Sequence, residues 1–172
     1  PAIITIALII VYPIVLSLDL SFQDIRIAKL SSPRKDWSII NYEKLINSNE
    51  FWYACWTTIK LILLVVFFCF ILGFTTALLV NKKFKGRKLA RLLVALPWAV
   101  PEIIASTIWI WLFDSTSGLL NWILIKIDFL DKPLNWFSNP TAAFSTVCAV
   151  MVWKGYPFIS IMLLAGLQSV PK

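Results

Sequence analysis

Two oppositely charged side chains, Glu102 and Lys154, each lie deep inside an apolar stretch of the sequence. Each lies 13 residues from the cytoplasmic end of its stretch, as the spans are predicted below. In an α-helix this distance is about 20 Å. A charge at that depth costs about 2.5 kcal/mol or more unless it is paired or hydrated. Three interpretations remain open: the two side chains line a solute pathway, they form an ion pair that fixes helix register, or each reaches a separate polar niche.

Small residues near Glu102 predict close helix packing. Ala95, Ala99, Glu102 and Ser106 recur at the spacing of one helix face, as do Cys69, Gly73 and Ala77 further upstream. Small side chains at this spacing allow membrane helices to approach closely. Packing is therefore the preferred interpretation of both stripes, with Glu102 and Ser106 kept as candidates for a pathway.

Proline and glycine predict breaks in the helices that carry the two charges. Pro97 and Pro101 precede Glu102, and Gly155 and Pro157 follow Lys154. Proline removes a backbone donor and disfavours helical geometry in the residue before it. Broken helices near the midplane occur in transporters, where freed backbone groups line a cavity. A simple kink that serves packing is the alternative.

The sequence contains no recognisable catalytic motif. Histidine is absent, and no glycine-rich phosphate loop or nucleophile elbow occurs. We therefore predict a protein that is not an enzyme, with no cofactor or metal of its own. If the protein takes part in ATP-driven transport, a separate ATPase subunit would bind the ATP and Mg²⁺.

The elements that position these residues are predicted to be membrane-spanning helices. Of the 172 residues, 59% are hydrophobic, against about 45–50% in soluble domains. Four stretches are long enough to span a bilayer, which needs about 20 mainly apolar residues: 2–22, 56–80, 89–113 and 142–167. We therefore predict an all-α, polytopic membrane protein.

The charges of the connecting segments predict the orientation of the spans. Segment 81–88, together with Arg91, holds six cations and no acids. The positive-inside rule places it in the cytoplasm. A basic run can also bind nucleic acid, but because this one lies between two apolar spans, a role in membrane orientation is the favoured interpretation. Segments 23–55 and 114–141 are nearly balanced in charge and are predicted to lie outside, where 118–125 would form a short interfacial helix.

A set of motifs, in order along nearly the whole chain, resembles a known family. The motifs are YP at 12–13, LSFQD at 20–24, NYEKL at 41–45, EFW at 50–52, ALLVN at 77–81, FKGR at 84–87, LPWAVP at 96–101, IWIWLF at 108–113, GLLN at 118–121, VWKGYPF at 152–158 and LAGLQSVPK at 164–172. Together they resemble the inner-membrane permease subunits of binding-protein-dependent ABC importers, in the sugar and glycerol-phosphate branch related to the maltose permease. Glu102 differs from the family pattern, in which an apolar residue or another proline follows Pro101.

The resemblance implies a type I importer core of about six spans, of which residues 1–172 would contain four, truncated at both ends. It implies these partners: a second permease subunit, two ATPase subunits and an extracytoplasmic solute-binding protein, in a bacterial or archaeal cytoplasmic membrane. Residues Gln168, Ser169, Pro171 and Lys172 would lead into the helix that couples to the ATPase. The fourth span would line the central cavity, which makes Lys154, Tyr156 and Phe158 candidate contacts for a sugar.

Other functions remain open at this point. The same family includes importers of glycerol phosphate and other small anions, which Lys154 would favour if Glu102 does not neutralise it. A structural or assembly subunit, with kinks that serve packing alone, is an alternative of another class. A membrane-embedded enzyme would need a polar catalytic cluster, and the sequence contains none.

Overall fold

The structure, a computed structural model, describes residues 2–23 and 37–169, and within them the regular secondary structure is helical apart from one isolated bridge between Gln23 and Trp37. The helices are α1 (Ala2–Ile6), α2 (Tyr12–Ser21), α3 (Ile40–Ile46), α4 (Asn49–Asn81), α5 (Arg87–Ala99), α6 (Glu102–Leu112), α7 (Leu119–Lys126) and α8 (Pro140–Ser169), with a π-helical turn at Ala7–Val11. This architecture confirms the predicted all-α fold. The chain divides into two units, Pro1–Thr58 and Ile59–Lys172, and α4 begins in the first and ends in the second.

In the first unit, α1, the π-helical turn and α2 follow one another without a break. The wider turn ends just before Pro13, which lies at the start of α2. Since proline lacks a backbone donor and crowds the preceding turn, a local widening lets the helix continue through it. Pro13 therefore does not interrupt the predicted span 2–22, of which Ile4–Ser21 is apolar enough to cross a membrane.

The segment after α2 is held by side chains of α3. The Asn41 amide donates hydrogen bonds to the carbonyl oxygens of Ser21 at 3.0 Å and Gln23 at 2.9 Å. The Tyr42 ring lies 5.2 Å from that of Phe22 between centroids. These contacts tie the end of α2 to a helix that the charge pattern alone had assigned to a connecting loop.

In the second unit, α4 and α8 pack closely along the small-residue stripe of α4. Cys69 and Ala77 are 5% and 0% exposed. A Cβ added to Gly73 would lie 2.8 Å from Cβ of Ile159 on α8, which is too close for any larger residue. The Thr76 hydroxyl donates to Ser160 Oγ at 2.9 Å. The packing interpretation of this stripe is confirmed.

Among the residues that the structure describes, three helices are long and apolar enough to cross a membrane: Ile4–Ser21, Asn49–Asn81 and Pro140–Ser169. The pair α5 and α6 passes the same test together, but its two halves are bent by 93°. The described residues thus contain three such helices, or four if the bent pair is one span. Large apolar side chains are exposed on these helices, including Leu63 at 65% and Ile103 at 82%. Such exposure is expected for surfaces that face lipid.

The expected break in the fourth span is wrong, because α8 runs unbroken from Pro140 to Ser169 through Gly155 and Pro157. Proline costs a helix interior about 3 kcal/mol relative to alanine. Pro157 and its neighbour Ser160 are almost completely buried. Packing of this part of α8 therefore keeps the helix intact where the local sequence disfavours it.

Two segment ends also differ from their predicted positions. α4 begins at Asn49, seven residues before the predicted start at 56. Gln168 and Ser169 are the last residues of α8 rather than part of an exit loop, while Pro171 and Lys172 lie outside the described residues. The predicted interfacial helix at 118–125 corresponds to α7.

Polar side chains organise the connection between α6 and α8. The Asp114 carboxylate accepts hydrogen bonds from the backbone N–H groups of Thr116 and Ser117 and from both their hydroxyls. Asn121 on α7, only 3% exposed, accepts from Leu134 N and Trp136 Nε1. Its amide nitrogen also lies within hydrogen-bonding distance of three backbone carbonyl oxygens, which share its two N–H donors. One buried amide thus fixes this connection from several directions.

Candidate functional site

The site is built around the bend between α5 and α6, which we call the elbow (Val100–Pro101). Val100 has an extended backbone, with φ −69° and ψ 129°, and Pro101 follows at φ −56° and ψ 141°. Proline disfavours helical geometry in the residue before it, and a β-branched valine adopts the extended form readily. Of the two breaks expected here, the structure contains only this one, because Pro97 lies inside the continuous helix α5.

Lys154 on α8 binds the end of α5 at the elbow. Its ammonium donates hydrogen bonds to the carbonyl oxygens of Pro97 at 3.1 Å and Trp98 at 3.2 Å, and also to that of Val100. The last carbonyls of a helix have no partner within the helix and carry its negative dipole end. A lysine ammonium has three donors, so these three acceptors use all of them.

Glu102 lies on the other side of the elbow, at the first residue of α6. Its negative charge there is stabilised by the positive end of the helix dipole. No ion pair joins Glu102 to Lys154 within the residues that the structure describes. Direct pairing, one of the three interpretations left open by the sequence, is therefore wrong for this structure, because the backbone carbonyls occupy the ammonium.

The two charges nevertheless border the same cavity, of about 340 Å³, which we call the elbow cavity. Its wall consists of Glu102, Ala105, Ser106, Val150, Met151, Lys154 and Gly155. The Ser106 hydroxyl donates to the carbonyl oxygen of Glu102 at 2.8 Å, so its oxygen remains available as an acceptor. The cavity therefore presents two acceptors, the Glu102 carboxylate and the Ser106 oxygen, beside a saturated ammonium.

Two of the candidate pathway residues lie elsewhere. Tyr156 is four residues from both Val152 and Ser160, and in a helix this spacing puts it on the side that faces α4. Phe158 packs its ring 6.2 Å from that of Trp98. Neither residue lines the elbow cavity.

The stripe of small residues expected on a single face of the third span is divided by the elbow. Ala95 and Ala99 belong to α5, whereas Glu102 and Ser106 belong to α6, across the 93° bend. The periodicity argument assumed one continuous helix, and the extended backbone at Val100 removes that condition. Only the second half of the stripe therefore borders the elbow cavity.

The carbonyl partners of Lys154 were not predicted from the sequence. Their signal was present: a helix that breaks before Pro101 must leave carbonyl oxygens without partners, and a lysine at equal depth can bind them. The roles of Arg87 and Arg91 were also missed. Both donate from Nε to the carbonyl oxygen of Val80, at 2.8 Å and 3.3 Å, near the end of α4.

No protein-family model matches the chain. It is 39% identical over 132 residues to the trehalose/maltose transport system permease protein MalF of Thermococcus litoralis, which covers 77% of this chain and 44% of the relative. It is 33% identical over 172 residues to the sulfoquinovosyl glycerol transport system permease protein SmoG of Agrobacterium fabrum, covering 100% of this chain and 55% of the relative. The chain thus spans about half the length of these curated relatives.

A solved structure agrees in fold. The crystal structure of a bacterial ABC transporter involved in the import of the acidic polysaccharide alginate matches 99% of this chain and 56% of its own, with a TM-score of 0.82 and 24% identity. At that identity the likeness concerns the fold alone. The family resemblance drawn from the motifs is confirmed by the curated relatives. The chain therefore belongs to the family of ABC transporter permease proteins that includes these trehalose/maltose and sulfoquinovosyl glycerol permeases.

Proposed function

We propose that the full-length protein is the permease subunit of an ATP-driven, binding-protein-dependent importer and that these residues form part of its solute path. The observation that carries the proposal is the binding of α8 to the broken end of α5 through Lys154, beside the elbow cavity. Broken helices at a polar cavity are the usual way in which transporters expose backbone and side-chain groups to a solute. Alternating access would then change the opening of this path.

The chemistry of the elbow cavity supports a solute rich in hydroxyl groups, such as a sugar. Its volume of about 340 Å³ lies in the range of about 300–1,000 Å³ found for ligand sites. Hydroxyl groups would donate to the Glu102 carboxylate and the Ser106 oxygen. Two of the relatives are named as permeases for trehalose/maltose and sulfoquinovosyl glycerol, which supports the same class.

A small anion such as glycerol phosphate is a weaker candidate on this geometry. The sequence interpretation required a lysine that Glu102 does not neutralise. Lys154 is indeed free of Glu102, but its three donors are used by carbonyl oxygens. An anion would therefore meet the Glu102 carboxylate without a free cationic donor to compensate it. A simple sugar is neutral and glycerol phosphate is anionic, so competition between them in a transport assay separates the two solute classes.

The proposal includes partners and a location. A second permease subunit would complete the path, two ATPase subunits would bind ATP and Mg²⁺, and an extracytoplasmic solute-binding protein would deliver the sugar. A related transporter was solved in complex with an alginate pentasaccharide-bound periplasmic protein, which supports the last of these. The assembly would lie in a bacterial or archaeal cytoplasmic membrane as a multi-pass protein, with 81–88 on the cytoplasmic side. No cofactor and no nucleic acid are expected for this chain.

The test is reconstitution of the full-length protein with its ATPase and binding protein. We expect ATP hydrolysis to rise when the binding protein carries a sugar. Replacing Glu102 with Gln removes the charged acceptor and should raise the KM for sugar uptake about tenfold, since a hydrogen bond to a charged group is worth about 1.5–3 kcal/mol. The matched control is Glu43→Gln, because Glu43 is an exposed carboxylate on α3.

Two results would reject the proposal. If the full-length protein never associates with an ATPase, it is a structural or assembly subunit and the importer function is wrong. If uptake proceeds but Glu102→Gln and Glu43→Gln give the same KM, the importer function stands and the elbow cavity is not its solute path.

A further inference from the structure

A second cavity, of about 730 Å³, lies at the junction of α4 and α5 and is lined mainly by cations; we call it the basic cavity. Its wall consists of Lys83, Phe84, Gly86, Arg87, Lys88, Leu89 and Arg91. Four of these seven residues are cationic and none is acidic. The cavity lies at the start of α5, whereas the elbow lies at its end, and the proposed transport function gives the cavity no role.

Two of its cations are fixed in position rather than mobile on the surface. Arg87 and Arg91 both donate from Nε to the carbonyl oxygen of Val80, one of the last carbonyls of α4. A guanidinium presents five N–H donors in a rigid fork. With Nε engaged, the remaining donors are held in a defined direction, and Nη2 of Arg91 is buried without any hydrogen-bond partner.

The charges around the start of α5 are arranged unfavourably in the absence of an anion. Arg87 is the first residue of α5, and Lys88 and Arg91 follow within its first turns. The first turn contains no acidic residue, and the N-cap residue Gly86 provides no side-chain hydrogen bond. Cations destabilise a helix N-terminus, where the dipole is positive and backbone N–H groups lack partners. A bound anion would remove both costs.

The cavity also has an apolar part. Phe84 and Leu89 line it and are 47% and 62% exposed. The cavity lies directly beyond the end of α4, a helix long and apolar enough to cross a membrane. It is therefore placed at a predicted membrane surface, with cations for a headgroup and apolar side chains for the adjoining glycerol and acyl chains.

We propose that the basic cavity binds the phosphate of an anionic phospholipid headgroup. The phosphate accepts hydrogen bonds from Arg91 and Arg87, Lys83 and Lys88 supply further charge, and Phe84 and Leu89 contact the lipid body. Basic pockets at the ends of membrane helices recognise anionic lipids by this chemistry. The proposal does not depend on the proposed transport function, because it concerns the lipid contact of one helix junction.

The experiment uses the full-length protein in detergent, titrated with phosphatidylglycerol or with phosphatidylcholine while its thermal unfolding is followed. We expect phosphatidylglycerol to raise the midpoint and phosphatidylcholine to leave it unchanged. Arg91→Gln and Lys88→Gln should each weaken the apparent phosphatidylglycerol affinity about tenfold. Lys88 is exposed and has no structural hydrogen bond among the described residues, so its variant remains informative even if Arg91→Gln folds poorly.

Lys85→Gln is the control that separates a site from general charge attraction. Lys85 belongs to the same basic segment but does not line the cavity, so its variant should retain the affinity of the unaltered protein. Equal losses for Lys85→Gln and Lys88→Gln would overturn the proposal in favour of a diffuse charged surface. Inorganic phosphate is the other probe: a rise in midpoint equal to that with phosphatidylglycerol would mean a soluble phosphate site and would also overturn the lipid assignment.

Discussion

The Nζ atom of Lys154 on α8 lies 3.1 Å from the carbonyl oxygen of Pro97 on α5. This contact joins two residues that are 57 positions apart in sequence, at the point where α5 ends. The structure thus gives Lys154 a role that the sequence did not predict, as a cap for a broken helix. Lys154 is therefore a positioning residue, and its effects on transport should follow from the geometry of the elbow.

Replacing Lys154 with Met should destabilise the full-length protein by about 1.5–3 kcal/mol, the range for hydrogen bonds to a charged group. The carbonyl oxygens at the end of α5 would lose their charged donor. Lys154→Arg keeps the charge and the donors and should restore most of the stability. Thermal unfolding in detergent measures both. Equal stability of the Met variant and the unaltered protein would contradict the capping role.

Reversing both charges should not restore function. Lys154→Glu places a carboxylate against three carbonyl oxygens, and Glu102→Lys places a cation at the positive end of α6. Because the two side chains do not pair, the double variant combines both penalties and should assemble at least as poorly as the worse single variant. Membrane expression level and solute uptake measure this. Recovery of uptake by the double variant would show that the pair forms in another state of the protein.

Gly73→Val should disrupt the packing of α4 on α8. Even a Cβ at this position would lie 2.8 Å from Cβ and Cγ2 of Ile159 and 3.1 Å from the backbone nitrogen of Ser160. Such overpacking typically costs about 1–3 kcal/mol. The matched control is Gly166→Val on α8, since no atom lies within 4 Å of a Cβ added at Gly166. Thermal unfolding should show a lower midpoint for the first variant than for the second.

The hydrogen bonds of Asp114 predict that the stability of the connection after α6 depends on pH. Hydrogen bonds from Ser117 N, from the hydroxyls of Thr116 and Ser117, and from Thr116 N hold its pKa below the ordinary value of 3.8. A carboxyl group whose pKa is lower in the folded state stabilises that state above its unfolded pKa, and the contribution is lost as the pH falls through the folded pKa.

The measurement compares thermal unfolding of the unaltered protein and Asp114→Asn between pH 7 and pH 3. The unaltered protein should be the more stable at neutral pH, and its advantage should shrink as the pH falls below about 4. A constant difference across this range would mean that the Asp114 charge contributes nothing to the turn.

The periodic and compositional features of the chain predicted its helices well, and the failures have specific physical causes. The apolar length of 56–80 and 142–167 predicts helices there because lipid allows little else. Proline was treated alike at three positions, yet only Pro101 ends a helix. Pro97 and Pro157 remain inside α5 and α8, since the cost of one proline is offset by tertiary contacts that a single sequence does not reveal.

Three of the five predicted pathway residues, Glu102, Lys154 and Ser106, border one cavity, whereas their hydrogen-bond partners were not predicted. Glu102 and Lys154, predicted to lie at equal depth, border the same cavity, and its use as a solute path stays a prediction. We predicted their pairing from the opposite charges alone, and such an argument identifies side-chain partners but not backbone partners. The stronger partners of Lys154 are backbone carbonyls, whose availability depends on where α5 ends. That end is set by the backbone of one residue, Val100.

The close contact at Gly73 has a consequence for motion. Ile159 is wedged against the backbone of α4, and Thr76 and Cys69 bind Ser160 Oγ and the Val152 carbonyl oxygen on either side of it. Sliding α8 along α4 would have to break these contacts together. Rotation about the two extended residues of the elbow would move α6 relative to α5 and would break the lysine cap and the ring contact between Trp109 on α6 and Trp153 on α8. The elbow is therefore the hinge at which the second unit can bend, whereas the contact at Gly73 resists sliding of α8 along α4.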